Sequence, residues 1–241
     1  DAVADQTVSV STTDDDVAGF TIVELDGSTE VDESGDTDTF TVVLDAQPTS
    51  DVVITITSSD TGEATVTSTL TFTPANWDTP QVATITGVDD DIIDGSQTST
   101  ITVSIDDANS DDDFDAVADQ TVSVSTTDDD VAGFTVAETD GSTGVDESGT
   151  TDIITVVLNA QPVSDVVMAI SSSDASETAV NGSTANNNSL TFTSENWDTP
   201  QSFTVTGVDD DLVDGTVNSI LTISVVDALS DNGFDAVADQ T

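Results

Sequence analysis

Residues 120–130 read QTVSVSTTDDD. Val122, Val124 and Thr126 alternate with Thr121, Ser123 and Ser125, the period of two expected of a strand with one buried face. Three adjacent aspartates then repel one another and mark the strand's exit. The same letters stand at residues 6–16, inside a longer phrase, DAVADQTVSVSTTDDDVAGFT, that fills residues 1–21 and returns unchanged at 115–135. Its opening, DAVADQT, recurs at residues 235–241.

Outward from this phrase the chain reads as two copies of one unit. Glu33 in VDESG matches Glu147, and Asp60 in SSD matches Asp174. The second copy is then lengthened within NGSTANNNS, as an exposed loop tip tolerates, so that Trp77 matches Trp197 and Asp89 matches Asp209. In the first copy, GFTIVE, DTFTVVLDA, DVVITITS, TLTFT, QVATITGV, STITVSID and QTVSVSTT carry period-two alternation and many β-branched residues. Turn-rich clusters such as LDGSTEVDESGD, AQPTS and DDDIIDGSQ separate them, and no window carries a helical stripe. The predicted fold is all-β: tandem seven-stranded antiparallel sandwiches of immunoglobulin-like size. On this reading residues 1–16 are the closing strand of a preceding repeat and 17–130 are a complete sandwich. Residues 131–241 are a second sandwich that stops inside its closing strand.

Composition narrows the chemistry. The 241 residues include no Lys, Arg, His or Cys and carry a formal charge of -49. No intramolecular salt bridge between side chains is available, so each carboxylate must be solvated, hydrogen-bonded or neutralised by an external cation. Nucleic acid is excluded as a partner because nothing neutralises phosphate. Anionic membranes are disfavoured, and no apolar run is long enough for a membrane helix. The usual bases, nucleophiles and anion clamps of catalysis are missing, and the expectation is that the chain is not an enzyme. Only a carboxylate pair of the glycosidase kind stays open, Glu63 beside Asp60 or Glu177 beside Asp174, with no substrate cleft legible.

The carboxylates gather at matched loop positions. They are Glu33 and Glu147; Asp60 and Asp174; the DDDxxDG segments Asp89–Asp94 and Asp209–Asp214; and the triplets Asp14, Asp15, Asp16 and Asp128, Asp129, Asp130. In a sandwich, loops collect at the poles, so clusters distant in sequence can meet. Ca²⁺ takes six to eight oxygens in flexible geometry, which suits these residues; Mg²⁺ ranks second, and Zn²⁺ and copper lack their usual His or Cys ligands. The competing reading is an acidic surface that serves solvation alone.

The succession VDESG, SSD, LTFTPANWDTPQVATITGVDDDIIDG and a strand ending in DDD resembles the Calx-β domain. It is also similar to the cadherin-like tandem repeats of large bacterial surface proteins. The resemblance spans both copies and implies several Ca²⁺ ions in the distal loops of a seven-stranded sandwich. The implied ligands are Glu33, Asp60, Asp89, Asp90, Asp94 and Asp128 to Asp130 in the first domain. In the second they are Glu147, Asp174, Asp209, Asp210 and Asp214, without a closing triplet; Asp91 and Asp211 stay unassigned. The chain departs from the family in having no basic residue.

Trp77 and Trp197 read as core anchors rather than sugar platforms. Asn181 and Asn187 satisfy the N-glycosylation pattern. The leading functional expectation is an extracellular, calcium-stiffened spacer in a large adhesin or cell-surface protein, whose partners are neighbouring repeats or identical chains. The alternative is a subunit of a self-assembling filament or surface layer joined by strand donation, since an open sheet edge is a pairing template. A surface or glycan ligand would need a site outside the acidic loops.

Overall fold

The computed structural model describes residues 4–25, 27–139, 141–182 and 188–241. They fall into two compact units, one within residues 1–88 and 98–126, the other within 89–97 and 127–241.

The first unit holds β1 (Phe20–Glu24), β2 (Thr29–Asp32), β3 (Thr37–Leu44), β4 (Val52–Ser58), β5 (Ala64–Val66), β6 (Thr69–Phe72), β7 (Gln81–Gly87), β8 (Gln97–Ile105) and β9 (Gln120–Thr127). One four-stranded sheet runs β1-β3-β7-β5 and a five-stranded sheet runs β2-β9-β8-β4-β6. Alternate residues of each strand meet in one core: Phe40, Val42, Ile54, Phe72, Ile85, Ile101, Val103 and Val124 are all fully buried. Within the sheets, Phe40 pairs Ala83, and Ile54 pairs both Leu70 and Ile105, so apolar side chains stack on the inner faces. Trp77 packs against this core, as expected of an anchor.

All seven expected strands form, and two short ones join them. β2 lies in a segment that reads as turn-rich, LDGSTEVDESGD, yet Thr29, Val31 and Glu33 alternate inward. β5 is a three-residue strand paired with β7. Neither is long enough to show a period on its own; tertiary pairing decides both.

The second unit repeats the plan with β10 (Phe134–Glu138), β11 (Thr151–Leu158), β12 (Val166–Ser172), β13 (Thr178–Gly182), β14 (Ser189–Phe192), β15 (Gln201–Gly207) and β16 (Leu221–Val225). Its sheets run β10-β11-β15-β13 and β14-β12-β16. Phe134, Val156, Met168, Leu190, Phe192, Phe203 and Phe234 fill its core, and Trp197 packs against them. Asn181 is exposed on β13, and Asn187 lies outside the described residues. The counterpart of β2, around residues 143–146, is not a strand. Its neighbour in the first sandwich is β9; among the described residues of the second, Gln240 bridges Ile223 through two backbone hydrogen bonds of 2.9 and 3.0 Å.

QTVSVSTT occurs twice among the described residues. QTVSVSTT is β9 at residues 120–127, with Val122 and Val124 buried, whereas at 6–13 it forms no strand and Val8 and Val10 are 86% and 82% exposed. A lone strand in water gains neither ladder hydrogen bonds nor a buried face, so propensity alone does not order it.

Asp111 ties two loops of the first sandwich together. Its Oδ2 accepts from the Thr49 amide (2.6 Å), the Thr49 hydroxyl (2.8 Å) and the Ser50 amide (2.8 Å). Asp231 does the same for Ser164 in the second sandwich. The Thr49 hydroxyl, followed by the Ser50 amide, holds the Asp111 carboxyl at about 2, down from its ordinary 3.8. The folded value lies below the unfolded one, so this contribution is complete above about pH 4 and is lost as pH falls through the folded value. Asp111→Ala leaves the Thr49 and Ser50 donors without an acceptor and is expected to cost about 1–3 kcal/mol in urea unfolding at neutral pH. Wild-type stability in that variant would show the tie to be dispensable.

Candidate metal centre

β15 ends at Gly207, and the acidic loop VDDDLVDG follows directly. Across from it, β13 opens at Thr178, which pairs with Gly207, so Glu177 lies just outside the sheet beside that loop. Glu177, Asp210 and Asp214 each offer a carboxylate oxygen, and these atoms lie within 4.8 Å of one another. Two ligands of one Ca²⁺, each about 2.3–2.6 Å from it, are separated by at most about 5 Å, so this spacing fits a shared coordination sphere. A concavity of about 430 Å³ opens here, lined by Glu147, Ser148, Glu177, Gly207 and Gly215 among others.

The electrostatics agree with the geometry. Desolvation first, then the charges of Asp214, Asp210, Asp174 and Glu147, push the Glu177 carboxyl above its ordinary range. No basic side chain exists to relieve this repulsion. Gly215 takes φ +81°, a left-handed conformation that turns the loop sharply after Asp214. Asp210 Oδ1 accepts from the Leu212 amide at 2.7 Å, which tightens the loop from within.

In the first sandwich, Glu33 is 1% exposed and Glu63 9%. Their carboxylate oxygens also approach within 4.8 Å. The Glu63 carbonyl accepts from the Val88 amide (2.9 Å) and the Thr126 hydroxyl (3.4 Å), so the end of β9 borders this pair. By the repeat, Glu33, Glu63, Asp90 and Asp94 are the positions that correspond to Glu147, Glu177, Asp210 and Asp214. Glu147 is only partly buried where Glu33 is fully so.

Residues 89–97 and 127–130 belong to the other unit, where they form an acidic set of their own. Asp128 Oδ2 accepts from the Asp94 amide (3.1 Å) and the Gly95 amide (2.8 Å), and its Oδ1 from the Asp130 amide (2.8 Å). Asp128 and Asp130 bring carboxylate oxygens within 4.8 Å. Asp130 is raised above its ordinary range by desolvation, then by Asp128, Asp91, Asp129 and Asp90, and its buried Oδ2 has no hydrogen-bond partner among the described residues.

The other expected ligands are placed differently. Asp60 and Asp174 cap turns: Asp60 Oδ1 accepts from the Gly62 amide (2.9 Å), and Asp174 Oδ1 from the Ser176 hydroxyl (2.5 Å) and amide (3.1 Å). The Ser176 hydroxyl keeps Asp174 below its ordinary range. Asp89, Asp90, Asp129 and Asp209 join none of the three-carboxylate groups among the described residues, and Asp90 Oδ1 accepts from the Ile92 amide at 2.7 Å. Asp14, Asp15 and Asp16 are exposed, with the Asp16 amide donating to Asp14 Oδ1 at 3.1 Å, the same turn that Asp128 makes with Asp130. In the sequence, Glu63 and Glu177 answer to a carboxylate-pair reading and not to a metal one. Their signal is the one that marks the others: a carboxylate at matched positions in both copies.

No protein-family model and no curated protein matches this chain. Among solved structures it is similar to CBD12 from CALX1.2, at 16% identity and TM-score 0.33, covering 85% of this chain and 79% of that one. The calcium binding domain CBD12 of CALX1.1 gives 14% identity and TM-score 0.34 over the same shares. Domains 4–9 of the surface layer protein SbsC give 17% and 0.29, covering 84% of this chain and 28% of that one. Likeness at this level says nothing of site or partner. The sheets themselves make this chain an all-β protein of antiparallel, immunoglobulin-like sandwiches.

Proposed function

We propose that the chain is a calcium-stabilised structural repeat of an extracellular protein, a spacer in a large adhesin or cell-surface molecule without catalytic activity. The observation that carries this reading is the convergence of Glu177, Asp210 and Asp214 in a chain that has no cation of its own. Such a convergence is repulsive when empty and cohesive around a divalent ion, because the ion reverses the sign of the local field. Glu147, at the rim of the same concavity, and backbone carbonyls of the acidic loop are the further oxygen donors within the chain. The spacer role rests on the repetition of one sandwich plan along the chain, and its partners are neighbouring repeats or identical chains. No helix among the described residues is long and apolar enough to cross a membrane.

Titration of CaCl₂ into the EDTA-stripped, desalted chain, followed by calorimetry, tests the site. Wild type is expected to take up calcium with a Kd within about 10⁻⁴–10⁻³ M, as extracellular modules do, and magnesium more weakly. Glu177→Gln combined with Asp214→Asn is expected to remove the uptake that belongs to the second sandwich. Identical uptake by that variant and wild type would sink the assignment.

A further inference from the structure

The acidic segment 89–95 stands between β7 and β8 in sequence, but it belongs to the second compact unit, together with Gln161 and Asp128. Its backbone amides are accounted for one after another. Ile92 donates to Asp90 Oδ1 at 2.7 Å, Ile93 to the Gln161 carbonyl at 3.1 Å, and Asp94 and Gly95 to Asp128 Oδ2 at 3.1 and 2.8 Å. In return the Gln161 amide donates to the Asp91 carbonyl at 2.6 Å, so Ile92 and Gln161 form a parallel bridge. Adjacent aspartates repel one another and resist ordering, yet each of these donors has a protein acceptor.

Ile93 supplies the apolar part of the contact. It packs against the core of the second sandwich, which includes Phe234. Beside it is Gly233, where an added Cβ would stand 3.1 Å from Ile93 Cγ2. A side chain at 233 and Ile93 therefore compete for one space. The two copies differ at this point. The first reads DDDFD at residues 111–115 and the second DNGFD at 231–235, so Asn232 and Gly233 stand where the first copy has Asp112 and Asp113. Asp113 and Gly233 make the same turn, each donating its amide to the aspartate two residues before, at 3.2 and 2.9 Å. The second copy thus has two fewer carboxylates in the loop beside Ile93, and room there for a β-branched side chain.

We propose that the surface around Gln161 and Gly233 is a docking site whose occupant is the segment Asp91–Ile93, and that this latch orders residues 89–95 with no ion required. It is strand addition on a small scale: main-chain hydrogen bonds hold the segment, and one side chain selects it. The acidic loop is thereby kept at Asp128 before any cation arrives. The latch does not rest on the calcium reading; calcium adds to an order that the latch already supplies.

Amide hydrogen exchange, read by NMR on the 241-residue chain in EDTA, tests the latch. The Ile93 and Gln161 amides are expected to exchange on the order of tenfold or more slowly than in an unstructured chain, since the bridge holds both. Gly233→Asp gives the second sandwich the letter with which the first already folds, so the amides of β12 and β15 are expected to keep wild-type protection. At Ile93 and Gln161 protection is expected to vanish, because the new carboxylate takes the space of Ile93 and adds to the charge of Asp90 and Asp91. Ile93→Ala, which adds no charge, is expected to weaken protection at Gln161 in the same direction, and it decides the matter if Gly233→Asp also loosens β12 and β15. A protease that cuts before aspartate is expected to cleave at residues 89–91 faster in both variants than in wild type, with mass spectrometry locating the cut. Protection at Ile93 and Gln161 that appears only when calcium is added would overturn the proposal, and so would protection in EDTA that both substitutions leave unchanged.

Discussion

Calcium is expected to raise the melting temperature of this chain on the order of 10 °C above its value in EDTA, with magnesium less effective and NaCl at matched ionic strength less effective still. The magnitude follows from linkage: a site held at a hundredfold excess over its Kd adds about 2.7 kcal/mol to the folded state. A domain of this size shifts by several degrees for each kcal/mol. The direction follows from the charge of -49 with no basic residue. Folding desolvates carboxylates and gathers them beside one another, and both causes, desolvation first, displace Glu177 and Asp130 upward. For both groups the folded value is raised. In EDTA the cost of ionising them, desolvation first and then repulsion, is therefore present at neutral pH and is relieved as pH falls through the raised folded values, the reverse of the Asp111 dependence. Any salt screens the long-range part of the repulsion, but only an ion bound among Glu177, Asp210 and Asp214 removes the short-range part. An equal rise with all three salts would mean screening alone, and the acidic clusters would then be a solvated surface.

Gly207→Ala is expected to destabilise the second sandwich by about 3 kcal/mol and to abolish its share of calcium binding. A Cβ at Gly207 would stand 2.0 Å from the Asp146 carbonyl oxygen and 2.6 Å from its carbon. Both are backbone atoms, so no side-chain rotation relieves the clash; the VDESG segment must move away from β15. Gly207 also pairs with Thr178 and donates to the Thr150 carbonyl at 3.1 Å, which resists movement from the other side. Glu147 follows Asp146 directly, and its carboxylate is carried off with it. The first sandwich has the same arrangement, where a Cβ at Gly87 would meet the Asp32 carbonyl oxygen at 1.9 Å. Gly144→Ala is the control: nothing lies within 4 Å of its added Cβ, and the first copy has Glu30 at that position. Differential scanning calorimetry with and without calcium reads both variants. Wild-type behaviour of Gly207→Ala would show that the approach of these two backbones is not needed.

Much of the architecture is legible in the sequence. Alternation of β-branched and polar residues marks seven strands of the first sandwich, because a half-buried strand imposes a period of two on its own letters. The repeat marks the second sandwich by the same letters. The absence of any basic or thiol side chain determines that cohesion among the carboxylates must come from hydrogen bonds, solvent or an external cation. Local pattern does not reach further. β2 and β5 are too short to declare a period, and each exists because a neighbouring strand offers it a ladder. Glu177 stands far in sequence from the acidic loop it faces, so only the folded sheet brings it within reach of Asp210 and Asp214. Asp60 and Asp174, equally conspicuous in the sequence, are occupied by the amides of their own turns. QTVSVSTT is a buried strand at residues 120–127 and an exposed, irregular segment at 6–13. The letters determine that it is able to be a strand; a partner edge decides whether it is one, because a strand's hydrogen bonds and buried face belong to the sheet and not to the segment.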